Sequence, residues 1–168
     1  GTWIREEDPT MEQPIISAVI SDSSEAKITV NGVADKPGIA ARLFRALPDS
    51  HVNVDIIVQN VAVHGVTDIS FTVPKADVEM SLRVASGLKD EIGANDVLAD
   101  ANVARVSLIG AGMKTHPGVA AKMFETLADE GVNIDMISTS PIRISCVVRD
   151  HQVEQAVQVL HSAFELER

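Results

Sequence analysis

The chain carries one loop-helix-strand unit twice. Asp35 to Asn60 reads DKPGIAARLFRALPDSHVNVDIIVQN, and Thr115 to Ser140 reads THPGVAAKMFETLADEGVNIDMISTS. The two stretches align without a gap, eighty positions apart from Pro37 to Pro117. Pro37/Pro117, Gly38/Gly118, Phe44/Phe124, Leu47/Leu127, Asn53/Asn133 and Asp55/Asp135 are shared. A period this long is too large for a solenoid and reads as two small domains. Repetition of a turn as well as a core points to two equivalent sites rather than one catalytic centre.

The first unit opens with Lys27–Val33, whose alternation predicts a strand. Asp35-Lys36-Pro37-Gly38 is a tight turn, with proline suited to the first turn of a helix and an acidic residue just before it. Ile39, Leu43, Phe44 and Leu47 share one face and predict a helix from Pro37 to Leu47. Val52, Val54, Ile56 and Val58 alternate with Asn53 and Asp55, predicting a strand with those polar residues opposite the core. His64-Gly65 marks a hairpin, and Ile69, Phe71 and Val73 the next strand. Val78, Leu82, Ala85, Leu88 and Ile92 are helically spaced up to Gly93, and a last strand covers Asp96–Asp100. The order is βαββαβ.

The second unit repeats it with a strand at Arg105–Gly110, a helix at Pro117–Glu130, and strands at Val132–Ser138 and around Ile142–Val148. A last helix carries Val153, Ala156, Val157, Leu160 and Phe164, with Asp150 as its expected cap. This unit lacks a fourth strand, while an unassigned apolar run lies at Pro14–Ile20. An unfilled sheet edge is a pairing hazard. The expected fold is therefore α+β: two ferredoxin-like βαββαβ domains in tandem, the first inserted into the second, which the N-terminal strand completes. The expected bounds are 26–102 for the first, and 14–25 plus 103–168 for the second. Residues 1–13 are polar and acidic and read as a linker.

A formal charge of −10, with 14 lysines and arginines in 168 residues, argues against nucleic acid and anionic membrane as partners. No apolar run is long enough to span a bilayer. The single cysteine, Cys146, cannot form an intrachain disulfide and fits a reducing, cytoplasmic setting. It falls on the apolar face of a predicted strand, as a buried, inert thiol. His51, His64, His116, His151 and His161 show no metal-ligand spacing and read as surface or turn residues. Ile109-Gly110-Ala111-Gly112-Met113 opens like a dinucleotide fingerprint, but Thr115 occupies the place of the third glycine. It reads as a strand-to-helix turn matching Gly32–Asp35. Nothing assembles an acid, a base and a nucleophile, so no catalytic residue and no cofactor or metal is assigned.

The two turns before the helices are the candidate sites. Free N–H groups at a helix start can hold a carboxylate. Asp35 adds an acceptor suited to an ammonium group, and Gln59 can donate and accept. Together these describe an amino-acid site. Taken from one unit alone, plain helix caps with surface amides would suffice; the doubling favours a ligand.

SEAKITVNGVADKPGIAARLFRAL, VNVDIIVQNV and ARVSLIGAGMKTHPGVAAKMFETLADEGVNIDMISTS resemble the regulatory region of the aspartokinases, a pair of ACT domains. The likeness runs from about Met11 to the end. It matches the C-terminal half of the α subunit and the separate β subunit. The opening GTWI resembles the end of the family's kinase domain, which implies that residues 1–13 link to an upstream kinase domain or are an added tail. The resemblance implies a non-catalytic module of a transferase, aspartate kinase, in the aspartate-family (lysine, threonine, methionine) pathway. Its effectors would be L-threonine and, in many members, L-lysine. Its partners would be a second copy, in a homodimer through the ACT domains, and the catalytic domain or α subunit.

Carried over by residue, the threonine site would use Asp35, Gly38, Ile39, Ala40 and Gln59, with Asn133 and Ile134 from the facing unit. The second site would use Met113, Thr115, His116, Gly118, Val119 and Ala120, with Asn53, Val54 and Asp55. Two departures fall on the second site: Pro141 stands where the family usually has Glu, and Ala120 where several members have Thr. Losing a carboxylate removes a partner for a lysine side chain, so threonine is the better-supported effector. An ACT pair from another regulator or metabolic enzyme would also fit, although a DNA-binding regulator would need a basic segment. An acylphosphatase-like enzyme on this scaffold would need an arginine in the loop where Asp35 stands.

Overall fold

The structure is a computed structural model that describes residues 15–113 and 116–166. The linker expected at 1–13, Pro14 and the site residue Thr115 lie outside the described residues.

The chain divides into two compact units. The inner unit is Ser23–Val103, and the outer unit is built from the described residues up to Asp22 and from Ala104 onward. The inner unit runs β2 (Glu25–Ala34), α1 (Ile39–Asp49), β3 (Ile57–Gln59), β4 (Val66–Pro74), α2 (Val78–Gly87) and β5 (Asp96–Asp100). The outer unit contains β1 (Ile15–Asp22), β6 (Val103–Ala111), α3 (Gly118–Asp129), β7 (Met136–Ser140), β8 (Arg143–Arg149) and α4 (Val153–Ala163). Each forms a four-stranded sheet, ordered β3-β4-β2-β5 in the inner unit and β1-β6-β8-β7 in the outer. β1 lies antiparallel to β6, as β5 lies antiparallel to β2. The apolar run near the N-terminus thus takes the fourth place in the outer sheet.

Each sheet buries one face under its helices. Ile28, Val30, Ile69, Phe71 and Val73 meet Leu43, Leu47 and Ala85 in the inner unit. Val106, Leu108, Cys146 and Val148 meet Met123, Leu127 and Leu160 in the outer. The period-2 strands and the 3.6-period helices present these residues to one core. Among the described residues, no helix is long and apolar enough to cross a membrane.

Several elements differ from expectation. α1 begins at Ile39 rather than Pro37 because Gly38 takes a left-handed conformation, φ 91°, which no helical residue can hold. It continues past Leu47 through Pro48, since a proline in the last turn forfeits a single bond and Ser50 N–H still reaches Ala46 O. α2 ends at Gly87 instead of Gly93; Leu88 and Lys89 tighten into i→i+3 bonds, and an irregular turn still buries Ile92. Asp150 does not cap α4 with its side chain. It starts a one-turn 3-10 segment, Asp150–Gln152, leading into the helix.

The strand after α1 is shorter than the alternation implies. Val52 and Val54 join the helix-side core, but only Ile57–Gln59 pair as a strand, with Ile57 opposite Phe71 and Gln59 opposite Ile69. Residues at paired positions share a face. Ile57 and Gln59 therefore lie on the helix side, and Ile56 and Val58 on the other. The outer unit repeats this, with Ile137 opposite Cys146 and Thr139 opposite Ile144. The hairpin at His64-Gly65 forms with both residues at positive φ, 55° and 79°, matching the right-handed twist of its strands.

Candidate functional site

Where α1 starts, beside the edge strand β3, the inner unit has a cleft of about 220 Å³. Asp35, Gly38, Ile39, Ala40 and Gln59 all line it, so one depression gathers the five inner-unit residues of the first predicted site. Asp35 is exposed, and its N–H donates to Gly65 O at 3.0 Å. This bond ties the turn to the β3–β4 hairpin. α1 has no side-chain cap and no acidic residue in its first turn, so no side chain competes for an anion at its positive end. Gly38 suits this corner: its φ of 91° is open to glycine and costly for other residues. Gln59 reaches the cleft because the short strand turns it to the helix side.

Thr67 and Ile69 also line the cleft, and no pattern in the chain pointed to them. They come from β4, outside the repeated stretch, and only the pairing of β4 with β3 brings them there. Thr67 is buried and donates its hydroxyl to Asn60 O at 2.6 Å.

Asn53 and Val54 line a separate groove of about 290 Å³ in the same unit, with Phe44, Pro48, Val52 and Ile57. Asp55 is not part of that lining; its N–H takes a ladder position, donating to Thr72 O at 3.0 Å. Asn133 and Ile134 belong to the outer unit, in the segment between α3 and β7, with Asn133 exposed and Ile134 packed against the core.

The outer unit has its own cleft at the start of α3, about 420 Å³, where Met113, His116 and Ala120 of the second predicted site meet Thr139, Pro141 and Ile144. Gly118 is exposed and does not line it. Val119 is turned into the core, and its N–H is spent on His116 O at 3.0 Å. Thr139 stands eighty positions after Gln59, so the register of the repeat was a signal that could have found it. His116 Nδ1 lies 2.7 Å from Gly112 O. A carbonyl only accepts, so Nδ1 carries a proton and donates it to Gly112 O. The described lining contains no carboxylate, whereas the inner cleft has both Asp35 and Lys36.

Burial pushes the Cys146 thiol up to about 12, leaving it protonated and unreactive at neutral pH. Among the described residues no group of three or more His, Cys, Asp or Glu could hold a metal ion.

Comparison with known proteins follows the duplication. The ACT domain family matches twice, at residues 27–86 and 106–164. The aspartate kinase Ask_LysC of Stutzerimonas stutzeri (strain A1501) is 47% identical over 168 residues, and the aspartokinase of Mycolicibacterium smegmatis 48% identical over 162. These matches cover 99% and 95% of this chain, but it spans only 41% and 38% of those relatives' length. A crystal structure of aspartokinase alpha and beta subunits superposes with a TM-score of 0.85 at 46% identity, covering 90% of this chain and 99% of that one. The ligand-free regulatory subunit of aspartate kinase from Thermus thermophilus gives 0.85 at 36% identity, covering 89% and 99%. The chain belongs to the ACT-domain family, in the paired form of the aspartokinase regulatory region.

Proposed function

We propose that the chain is an amino-acid-sensing module that mediates feedback inhibition of ATP-dependent aspartate phosphorylation, with L-threonine as effector. The observation that carries this reading is the inner cleft. It offers Asp35 for an ammonium group, an uncapped helix start at Gly38–Ala40 for a carboxylate and Gln59 for a side-chain hydroxyl, all within about 220 Å³. A second cleft at the equivalent helix start supports two sites per chain.

The half-sites at Asn133–Ile134 and at Asn53–Asp55 would complete them from facing units. The ACT domains would span 26–102, and 14–25 with 103–168. A cytoplasmic homodimer, working with an aspartokinase catalytic domain or α subunit, follows from the same reading. Lysine is the weaker candidate, because Pro141 leaves the described lining of the outer cleft without a carboxylate for its ammonium group and Ala120 without a hydroxyl.

The test is calorimetric titration of the parent chain and Asp35→Ala with threonine. Removing one partner of a charge pair that ligand binding buries costs about 2–5 kcal/mol, so affinity should fall more than tenfold. The fold should persist, because Asp35 is exposed and caps no helix by its side chain. Equal dissociation constants with both proteins folded would remove Asp35 from the site. In the full-length kinase the same change should relieve inhibition and leave catalysis intact, because an effector acts only through its differential affinity for two states.

A further inference from the structure

The inner turn is held by a side chain that does not belong to its cleft. The register of β2 against β4 slips between Val30 and Val33, leaving Asn31 and Gly32 as a bulge. Gly32 sits at φ 70°, and its N–H donates to Asp68 Oδ1 on β4 at 2.9 Å. From the other side, Asn95 N–H donates to Asn31 O at 2.8 Å. The Asn95 amide lies so close that a β-carbon on Gly32 would fall 2.3 Å from its Nδ2. Bound from β4 on one side and from the bend before β5 on the other, the bulge sets the direction in which the chain leaves β2. Three residues later that chain is Asp35.

The outer unit carries a different side chain at the matching ladder position. Ile69 opposes Gln59 and Ile144 opposes Thr139, so the position matching Asp68 is Arg143. Beside it Gly110, the next-to-last residue of β6, donates to a backbone oxygen, Ile142 O, at 2.9 Å. A carboxylate is a stronger acceptor than a carbonyl, and unlike a carbonyl it can be removed by one substitution.

We propose that Asp68 is a positioning residue for effector binding at the inner cleft, acting through Gly32 on the Ala34–Gly38 turn. This rests on the amino-acid-sensing reading above. Asp68 does not line the cleft, so its effect on a ligand is transmitted by the backbone.

Two measurements test it on the full chain: threonine calorimetry and amide hydrogen exchange, each on the parent, Asp68→Ala and Asp68→Asn. Asp68→Ala leaves a part-buried N–H without its charged acceptor, and such bonds are worth enough to weaken inner-cleft affinity roughly tenfold. Asp68→Asn keeps an oxygen acceptor and should recover most of that loss. The Gly32 and Asp35 amides should exchange faster in Asp68→Ala, while Ala85 in the core of α2 keeps its protection. Unchanged affinity in Asp68→Ala would overturn the proposal. Equal weakening in both variants would overturn it too, since that outcome signals the charge and not the bond. If the parent bound no threonine, the sensing reading would fail, and exchange at Gly32 and Asp35 would decide the positioning role by itself: unchanged rates overturn it, and faster rates restored by Asp68→Asn support it.

Discussion

At the centre of the inner unit the Phe71 ring meets Phe44 edge-on, with centroids 5.3 Å apart and planes 81° apart. The same ladder position in the outer unit, opposite Ile137 as Phe71 is opposite Ile57, belongs to Cys146. Phe124 keeps its place in the repeat and packs against the outer core, which has a thiol where the inner core has a ring. The two clefts diverge in the same manner, with Asp35 and Lys36 in one and an anchored His116 in the other. Backbone path is common to the units, and chemistry is not. A pleated ladder fixes where a side chain points and leaves its identity free so long as the core stays filled.

The largest expected difference between the units follows from continuity. Removing residues 1–22 takes away the eight-residue β1 with its ladder to β6 and the core contact of Val19. The outer unit should lose more than about 5 kcal/mol, from lost apolar burial and an exposed sheet edge. The inner unit should keep its amide protection. Hydrogen exchange resolved by residue checks this, and equal loss in both units would break the comparison.

Next comes the swapped core position. Phe71→Ala should cost about 3–5 kcal/mol and Cys146→Ala about 1 kcal/mol, since the cavity scales with the volume removed. Denaturant midpoints of the two variants measure the gap. Similar losses would mean that Cys146 fills more of its core than its size implies.

A cross-strand hydroxyl pair sharpens the comparison at smaller scale. Ser107 and Ser145 are buried with their Oγ atoms 2.7 Å apart, whereas Thr29 and Ser70 are part-buried at 3.1 Å. Ser145→Ala strands a buried partner and should cost about 1–2 kcal/mol; Ser70→Ala should cost about 0.5 kcal/mol because water can replace the lost bond. Equal costs would show that burial does not separate the pairs.

The smallest effect at neutral pH is the titration of Cys146. Its thiol is raised to about 12 in the fold, against about 8.5 in an unfolded chain. The folded state thus holds a proton that the unfolded state releases. That contribution is complete below about pH 8.5 and is lost as pH rises towards 12. Stability of the parent should fall more steeply than that of Cys146→Ala across this window. An aromatic disulfide reagent should label the thiol at pH 8 only after unfolding.

Much of this was legible in the chain itself. The repeat announced two units of one plan. Periodicity placed Leu43, Leu47, Met123 and Leu127 in cores, and alternation buried Cys146. The recurrence of Pro-Gly before each helix marked the turns where the clefts form. Pairing was less legible. Val52 to Val58 alternates as a strand would, yet only Ile57–Gln59 pair as one, and beyond Val54 this reverses which residues face the helix. Thr67 and Ile69 reach the inner cleft from β4, and the carboxylate of Asp68 reaches Gly32 across 36 positions of chain.

The sequence by itself therefore determined which residues form elements and which turns recur, because steric propensity and side-chain periodicity act over a few residues. Tertiary structure alone decided the register of β3, the strands that wall each cleft and the bond that aims the inner turn. Those depend on hydrogen bonds between segments far apart in the chain, which no local pattern encodes.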